Sequence, residues 1–320
     1  MTGQGITPLP IVPPPLHDER LSSWLARTAD IYLVSTDDLL AHAGISQPLS
    51  QLEMGLGHSE IERLVGATAM PAGRLEDMTY KNCPAKYRGL VRLGSRDICP
   101  VCSAGMTRPP RFRSAAFAFA FWCQKHGVPL QGTDSSGIGT IGNEHLARRG
   151  AAFVRDWAMG AEKAAVSVDL TLELLLTPCR TPSPPEPWQL ARLSPEKRRI
   201  LALALSQARS RTVLGLVVPE YESAVAIYDR SLPKDLTGLC GASLAERYAL
   251  AIGVARVMKN PAQTGARVWS GCDDFGRLRI EGRLSTRSTG HCMALAEAFG
   301  RSGNQTGTPQ RRMSAANQKS

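Results

Sequence analysis

Four residues in this chain have the types and spacing of a metal site. Cys99 and Cys102 form "CPVC", and Cys123 and His126 lie in "FWCQKHGVPL", giving C-x2-C-x20-C-x2-H. Two close pairs separated by a loop of this length are what a tetrahedral zinc site uses. Each pair sits on a tight knuckle and aims two ligands at one ion. Four protein ligands leave no position for water, so the spacing predicts one structural Zn2+ that contributes folding free energy rather than chemistry.

Other chemistry fits these residues less well. A redox "CPVC" should open a helix that lowers a thiolate pKa, but "SAGMTRPPR" follows and cannot stay helical. Cys123 and His126 could be a nucleophile and its base, yet no third group is in place to orient them. His58 and Glu60 in "HSE", upstream of a cysteine pair, are like the zinc deaminases. Here the proline lies inside the pair, and Cys123 and His126 would have no role. No phosphate loop, nucleophile elbow or dinucleotide fingerprint is present. The other cysteines, Cys83, Cys179, Cys240, Cys272 and Cys292, have no close cysteine partner and read as small buried residues.

The elements that must carry the four ligands lie in the most one-signed part of the chain. Between Lys81 and Leu130 the bases, among them Arg92, Arg96, Arg108, Arg111, Arg113 and Lys125, face a single acid, Asp97. The whole chain of 320 residues carries a formal charge of +10. That balance favours an anionic partner such as DNA. Arg108, Arg111, Arg113, Arg74 and Lys125 are the candidate nucleic-acid contacts. The run from Phe117 to Trp122 is expected to be the strand that returns the second knuckle to the metal.

Around this module the periodicity is helical, which makes the fold class mainly α. Residues 1–80 read as a Pro-rich lead followed by helices, with Asp18 as a cap and Leu21, Trp24 and Leu25 on a buried face. Ser35 or Thr36 caps the next helix, and Gly44 stops it. Two short helices over 59–78, broken near Gly66 and "MPAG", resemble a helix-turn-helix. Residues 81–135 form the zinc-ribbon-like β insertion, and 136–176 a helical extension. The segment 177–189, "TPCRTPSPPEPWQ", reads as a linker. Residues 190–302 are a helical domain opened by Ser194 and Pro195, with two short strands expected around Asp273–Gly276. Residues 303–320 have the composition of a disordered tail.

No secretory signal and no apolar run of membrane length is visible, so a cytoplasmic protein is expected, its cysteines reduced.

The order of "PLPIVPPPLHDERLSSWLARTA", "ICPVC" and "FWCQKHGVPL" resembles the TniQ family. The matching positions are Asp18, Glu19, Ser23, Trp24, Leu25 and Arg27, then Cys99 and Cys102, then Cys123, His126, Gly127 and Leu130. The resemblance covers about residues 8–132; no motif carries it through 133–320. It implies a bacterial, transposon-encoded adaptor that is not an enzyme. Such a protein helps select the target site and recruits a AAA+ regulator ATPase, and through it the transposase. Some members read DNA directly, and others dock on an RNA-guided CRISPR effector complex; a homodimer is compatible with either. The alternatives are a zinc-dependent hydrolase or deaminase acting on nucleic acid, and a DNA-binding transcription regulator.

Overall fold

The computed structural model describes residues 7–106, 108–132, 141–161, 166–180, 194–198, 211–224 and 235–285. The helices in chain order begin with α1 (Leu21–Ile31), α2 (Thr36–His42), α3 (Leu49–Met54), α4 (His58–Thr68), α5 (Ala72–Asp77) and α6 (Ala85–Gly89). Then come α7 (Glu144–Ala158), α8 (Val168–Leu175), α9 (Val213–Val217), α10 (Pro219–Ala224), α11 (Leu244–Lys259), α12 (Pro261–Gly271) and α13 (Asp274–Ser285). Strands β1 (Pro178–Arg180) and β2 (Arg211–Thr212) form one antiparallel pair. The protein is mainly helical, as its periodicity predicts. No helix among the described residues is long and apolar enough to cross a membrane.

The chain divides into two compact units, Met1–Lys163 with Val218–Ala255, and Ala164–Val217 with Arg256–Ser320. In the first, α1 to α5 gather around Leu21, Trp24, Leu25, Leu39, Leu64 and Leu75, all buried. Burying each such side chain is worth about 1.5–3 kcal/mol. Local signals set the helix ends. Ser35 and Asp38 make a reciprocal capping box at α2, and Gly44 leaves it at φ +73°. The α4–α5 break falls at Ala69, in the left-handed region, and Gly66 lies inside α4. Asp18 does not cap α1, whose flanking residue is Arg20. Instead the Asp18 carboxylate accepts from the Ser114 amide at 3.0 Å and its carbonyl from the Arg113 amide at 2.8 Å.

The polar residues where the chain enters α1 are not solvated. Glu19, Arg20 and Ser23 are buried beside the apolar stripe. Glu19 accepts from Ser23 Oγ and Arg27 Nε, each at 2.9 Å, and from Arg27 Nη2 at 2.7 Å. Arg20 reaches Glu53 on α3 and the carbonyl of Leu93. Trp24 Nε1 and Arg27 Nη2 donate to the carbonyls of Pro13 and Pro14, tying down the Pro-rich lead. A buried carboxylate or guanidinium is tolerable only when satisfied in this way.

The same unit contains α7 and most of α11. The α7 residues Ala147, Gly150 and Val154 are buried, while Leu146 and Phe153 are only partly so. Small residues dominate because α7 meets α11 closely: a Cβ on Gly150 would overlap the carbonyl of Ala251. On α11, Ser243 and Glu246 form a reciprocal cap, and buried Arg247 donates to the carbonyls of Ala118 and Ala242.

The second unit packs α8, β1, β2, α9, α12 and α13. Leu170, Leu172, Leu175, Val268 and Ile280 are buried there. Two sequence expectations change in this unit. The residues around Asp273–Gly276 are not strands: Asp273 Oδ1 accepts from the Gly276 amide at 2.7 Å and starts α13. Its Leu278–Arg279–Ile280 alternation reads as β only until that cap is recognised. The first part of the expected linker, Pro178–Arg180, is β1, with Cys179 buried against α13. Ser194 does cap the turn after it, its Oγ accepting from the Lys197 amide at 3.3 Å. The rest of the linker, the helix expected to follow Ser194 beyond Arg198, the final helix and the 303–320 tail lie outside the described residues.

Candidate metal centre

The 81–132 segment has little regular structure of its own. Among its described residues no continuous strand forms, so the β insertion is reduced to isolated bridges: Val91 with Phe117, Ile98 with Gln131, and Trp122 with Pro129. The Phe117–Trp122 run is not a strand. Its alternate aromatics pack on different partners: Phe117 stacks on Tyr87 at 4.8 Å, and Phe121 meets Tyr248 edge-on at 5.3 Å. Between the single bridges at its two ends, tertiary contacts take the place of a continuous ladder.

Those bridges still do the positioning that a ribbon would do. Ile98 and Gln131 exchange both backbone hydrogen bonds, at 2.9 and 2.8 Å, and so hold Cys99 next to the second knuckle. In the first knuckle, the Cys102 amide donates to Cys99 Sγ at 3.4 Å, and Ser103 donates to the Cys99 carbonyl. In the second, the Cys123 amide donates to the Val128 carbonyl and the Gly127 amide to the Cys123 carbonyl, each at 2.8 Å. Gly127 sits at φ +66°, where a side chain is strained, and this turn brings His126 back over Cys123. Arg148 of α7 donates to the Gly127 carbonyl at 2.8 Å and lies over the Trp122 ring at 4.3 Å.

The result is a compact group. The ligand atoms of Cys99, Cys102, Cys123 and His126 all lie within 4.8 Å of one another. His126 Nδ1 is 3.4 Å from Cys99 Sγ, 3.2 Å from Cys102 Sγ and 3.7 Å from Cys123 Sγ. Cys102 and Cys123 sulfurs are 3.8 Å apart. A tetrahedral ion with about 2.3 Å bonds to sulfur and about 2.0 Å to nitrogen spaces its ligands about 3.5–3.8 Å apart. The group therefore fits one ion of that size.

Burial raises the Cys99 thiol, but the Cys102 amide, His126 and the neighbouring thiols bonded to its sulfur outweigh it, bringing it to about 7. Burial and the neighbouring thiols push Cys102 up to about 12. Three thiolates cannot share this space without a cation between them.

The basic candidates are scattered around the first unit. Arg74 is exposed on α5, and Lys125 is exposed on the second knuckle. Arg108 is exposed and paired with Asp30 at 2.9 Å. Arg111 is exposed at the rim of a cleft beside α1. Arg113 is engaged within the fold: it donates to the Asp77 carbonyl and to Cys83 Sγ and lies over the Tyr80 ring at 5.5 Å. Sequence reasoning missed the pairing of Arg20 with Glu53. Charged residues flanking Trp24 were its only signal, and nothing local points to a partner on α3.

A family model described as TniQ matches residues 10–130, a span that takes in α1 to α6 and all four ligands. No curated protein and no solved structure matches the chain.

Proposed function

Through residues 10–130 the chain belongs to the TniQ family, associated with transposition, and from that premise we propose that it is a non-enzymatic transposition adaptor. One observation carries the reading. The Cys99, Cys102, Cys123 and His126 group lies inside the family segment and offers four ligands, a complete tetrahedral shell. Thiolate-rich sets of this kind suit zinc. A full shell leaves no place for an activated water, so the ion would hold the 81–132 segment in shape. A zinc hydrolase or deaminase would need an open position.

In this reading the basic surface of the first unit meets DNA phosphates, and affinity falls steeply with salt. Exposed Arg74, Arg108, Arg111 and Lys125 are its contact residues. The adaptor would engage a AAA+ regulator ATPase and, through it, the transposase. The α4–α5 pair is the element proposed to face DNA as a helix-turn-helix.

The test is a pull-down of the purified, zinc-loaded full chain with a AAA+ transposition regulator ATPase, with and without target DNA. Retention of the ATPase, strengthened by DNA, supports the adaptor role. Sequence-specific DNA binding with no ATPase retention would favour a transcription regulator instead. Hydrolysis or deamination of nucleic acid, lost on metal removal and restored by zinc, would replace both.

A further inference from the structure

Beside α1 a cleft of about 460 Å³ opens, lined by Arg96, Arg108 and Arg111 with Ser22 and Thr36. Three guanidinium groups around one cavity repel one another unless something negative lies between them. The acids nearby do not supply it. Glu53 is buried and held by Arg20 and Ser22. Asp30 takes Arg108 at the rim. Among the described residues no hydrogen bond or ion pair engages the Arg96 or Arg111 guanidinium, or the Thr36 hydroxyl. Partial burial, with Arg20, Arg96 and Arg108 nearby, holds the Arg111 guanidinium below its ordinary value, and Glu53 offsets this only in part.

The cleft is also well supported. The Arg111 amide donates to Ser23 Oγ, and its carbonyl accepts from the Arg20 amide, both at 2.9 Å. The backbone that presents Arg111 is thus pinned to α1 while its side chain is left unpaired. Planar guanidinium groups suit the paired oxygens of a phosphate, and a hydroxyl can add one further bond.

We propose that this cleft seats one phosphate group of a nucleic-acid backbone, gripped by Arg96 and Arg111, with the Thr36 hydroxyl donating and Arg108 flanking it. The inference rests on the DNA-contact reading above. It narrows a broad basic surface to a single phosphate position and brings in Arg96 and Thr36.

The experiment compares the zinc-loaded full chain with the double variant Arg96→Gln/Arg111→Gln, both sites being exposed and unpaired. A charge-matched control, Arg267→Gln/Arg279→Gln, changes exposed residues of the second unit. Binding of a short DNA duplex is followed by fluorescence anisotropy over a salt series, and thermal protection by inorganic phosphate is measured alongside. The cleft variant is expected to bind about tenfold or more weakly, with the log–log salt slope reduced by about two. The control is expected to lose far less. If the wild type binds DNA and the cleft variant matches it, the cleft is wrong and the DNA reading stands. If the wild type ignores DNA, but phosphate protects it and not the cleft variant, the DNA reading fails and the cleft is a site for a free phosphate. If neither ligand has an effect, both are overturned.

Discussion

Arg20 and Glu53 form a two-bond ion pair, Nε to Oε1 at 3.0 Å and Nη2 to Oε2 at 2.6 Å, with side chains only 2% and 3% exposed. The pair joins α1 to α3, and the third Arg20 bond, to the Leu93 carbonyl, reaches the segment that leads into Cys99. It therefore links the helical core to the metal module.

Removing one partner strands a buried charge. Glu53→Ala is expected to cost about 3–5 kcal/mol of unfolding free energy, read from urea denaturation. The double variant Arg20→Met/Glu53→Leu should recover most of that loss, because it removes both charges together. A Glu53→Ala protein as stable as the wild type would show that the pair does not hold α1 to α3.

Metal analysis of the full chain by native mass spectrometry is expected to find one zinc. Cys123→Ala should lose it, and amide exchange should accelerate across 81–132 while the helices around Trp24 stay protected. The ligands bind as thiolates and neutral imidazole, so protons compete with the ion and apparent affinity should fall as pH falls. A Cys123→Ala protein that keeps its metal would break the four-ligand assignment.

Leu33 occupies φ +55° just after α1, where the Leu33 amide bonds to the Asp30 carbonyl and the Val34 amide to that of Ala29. This is the left-handed C′ position that glycine favours, and the leucine side chain is 93% exposed. Leu33→Gly removes steric strain of about 1–2 kcal/mol and gives back about half of it through the freer unfolded chain. The melting temperature is expected to rise. A fall would mean that Leu33 makes contacts of its own in the protein.

Two glycines in helices should respond to alanine with opposite signs. Gly150→Ala drives a methyl group into the Ala251 backbone, and α7 and α11 can separate only by losing packing; about 2–3 kcal/mol of destabilisation is expected. Gly73 on α5 faces open space, so Gly73→Ala should stabilise by about 0.5–1 kcal/mol. Thermal denaturation of both variants checks the pair of signs.

The helices around Trp24, the cap at Ser35 and the α4–α5 break were legible in the sequence, because each follows from spacing and cap chemistry within a few residues. The two cysteine-containing pairs were legible for the same reason, since a knuckle is a local turn. Tertiary structure decided the rest. It made α13 out of a stretch that alternates like a strand, because the Asp273 cap competes with that pattern. It kept Phe117–Trp122 out of any strand, because Tyr87, Tyr248 and Arg247 take its side chains and carbonyls. It buried Glu19 and Arg20, which local composition puts in solvent, because their partners Arg27 and Glu53 come from the next turns and another helix. It also left Arg96 and Arg111 unpaired at one cleft while engaging Arg113 with Asp77, Cys83 and Tyr80. Charge is written in the sequence residue by residue, but which charges meet depends on where the chain crosses itself.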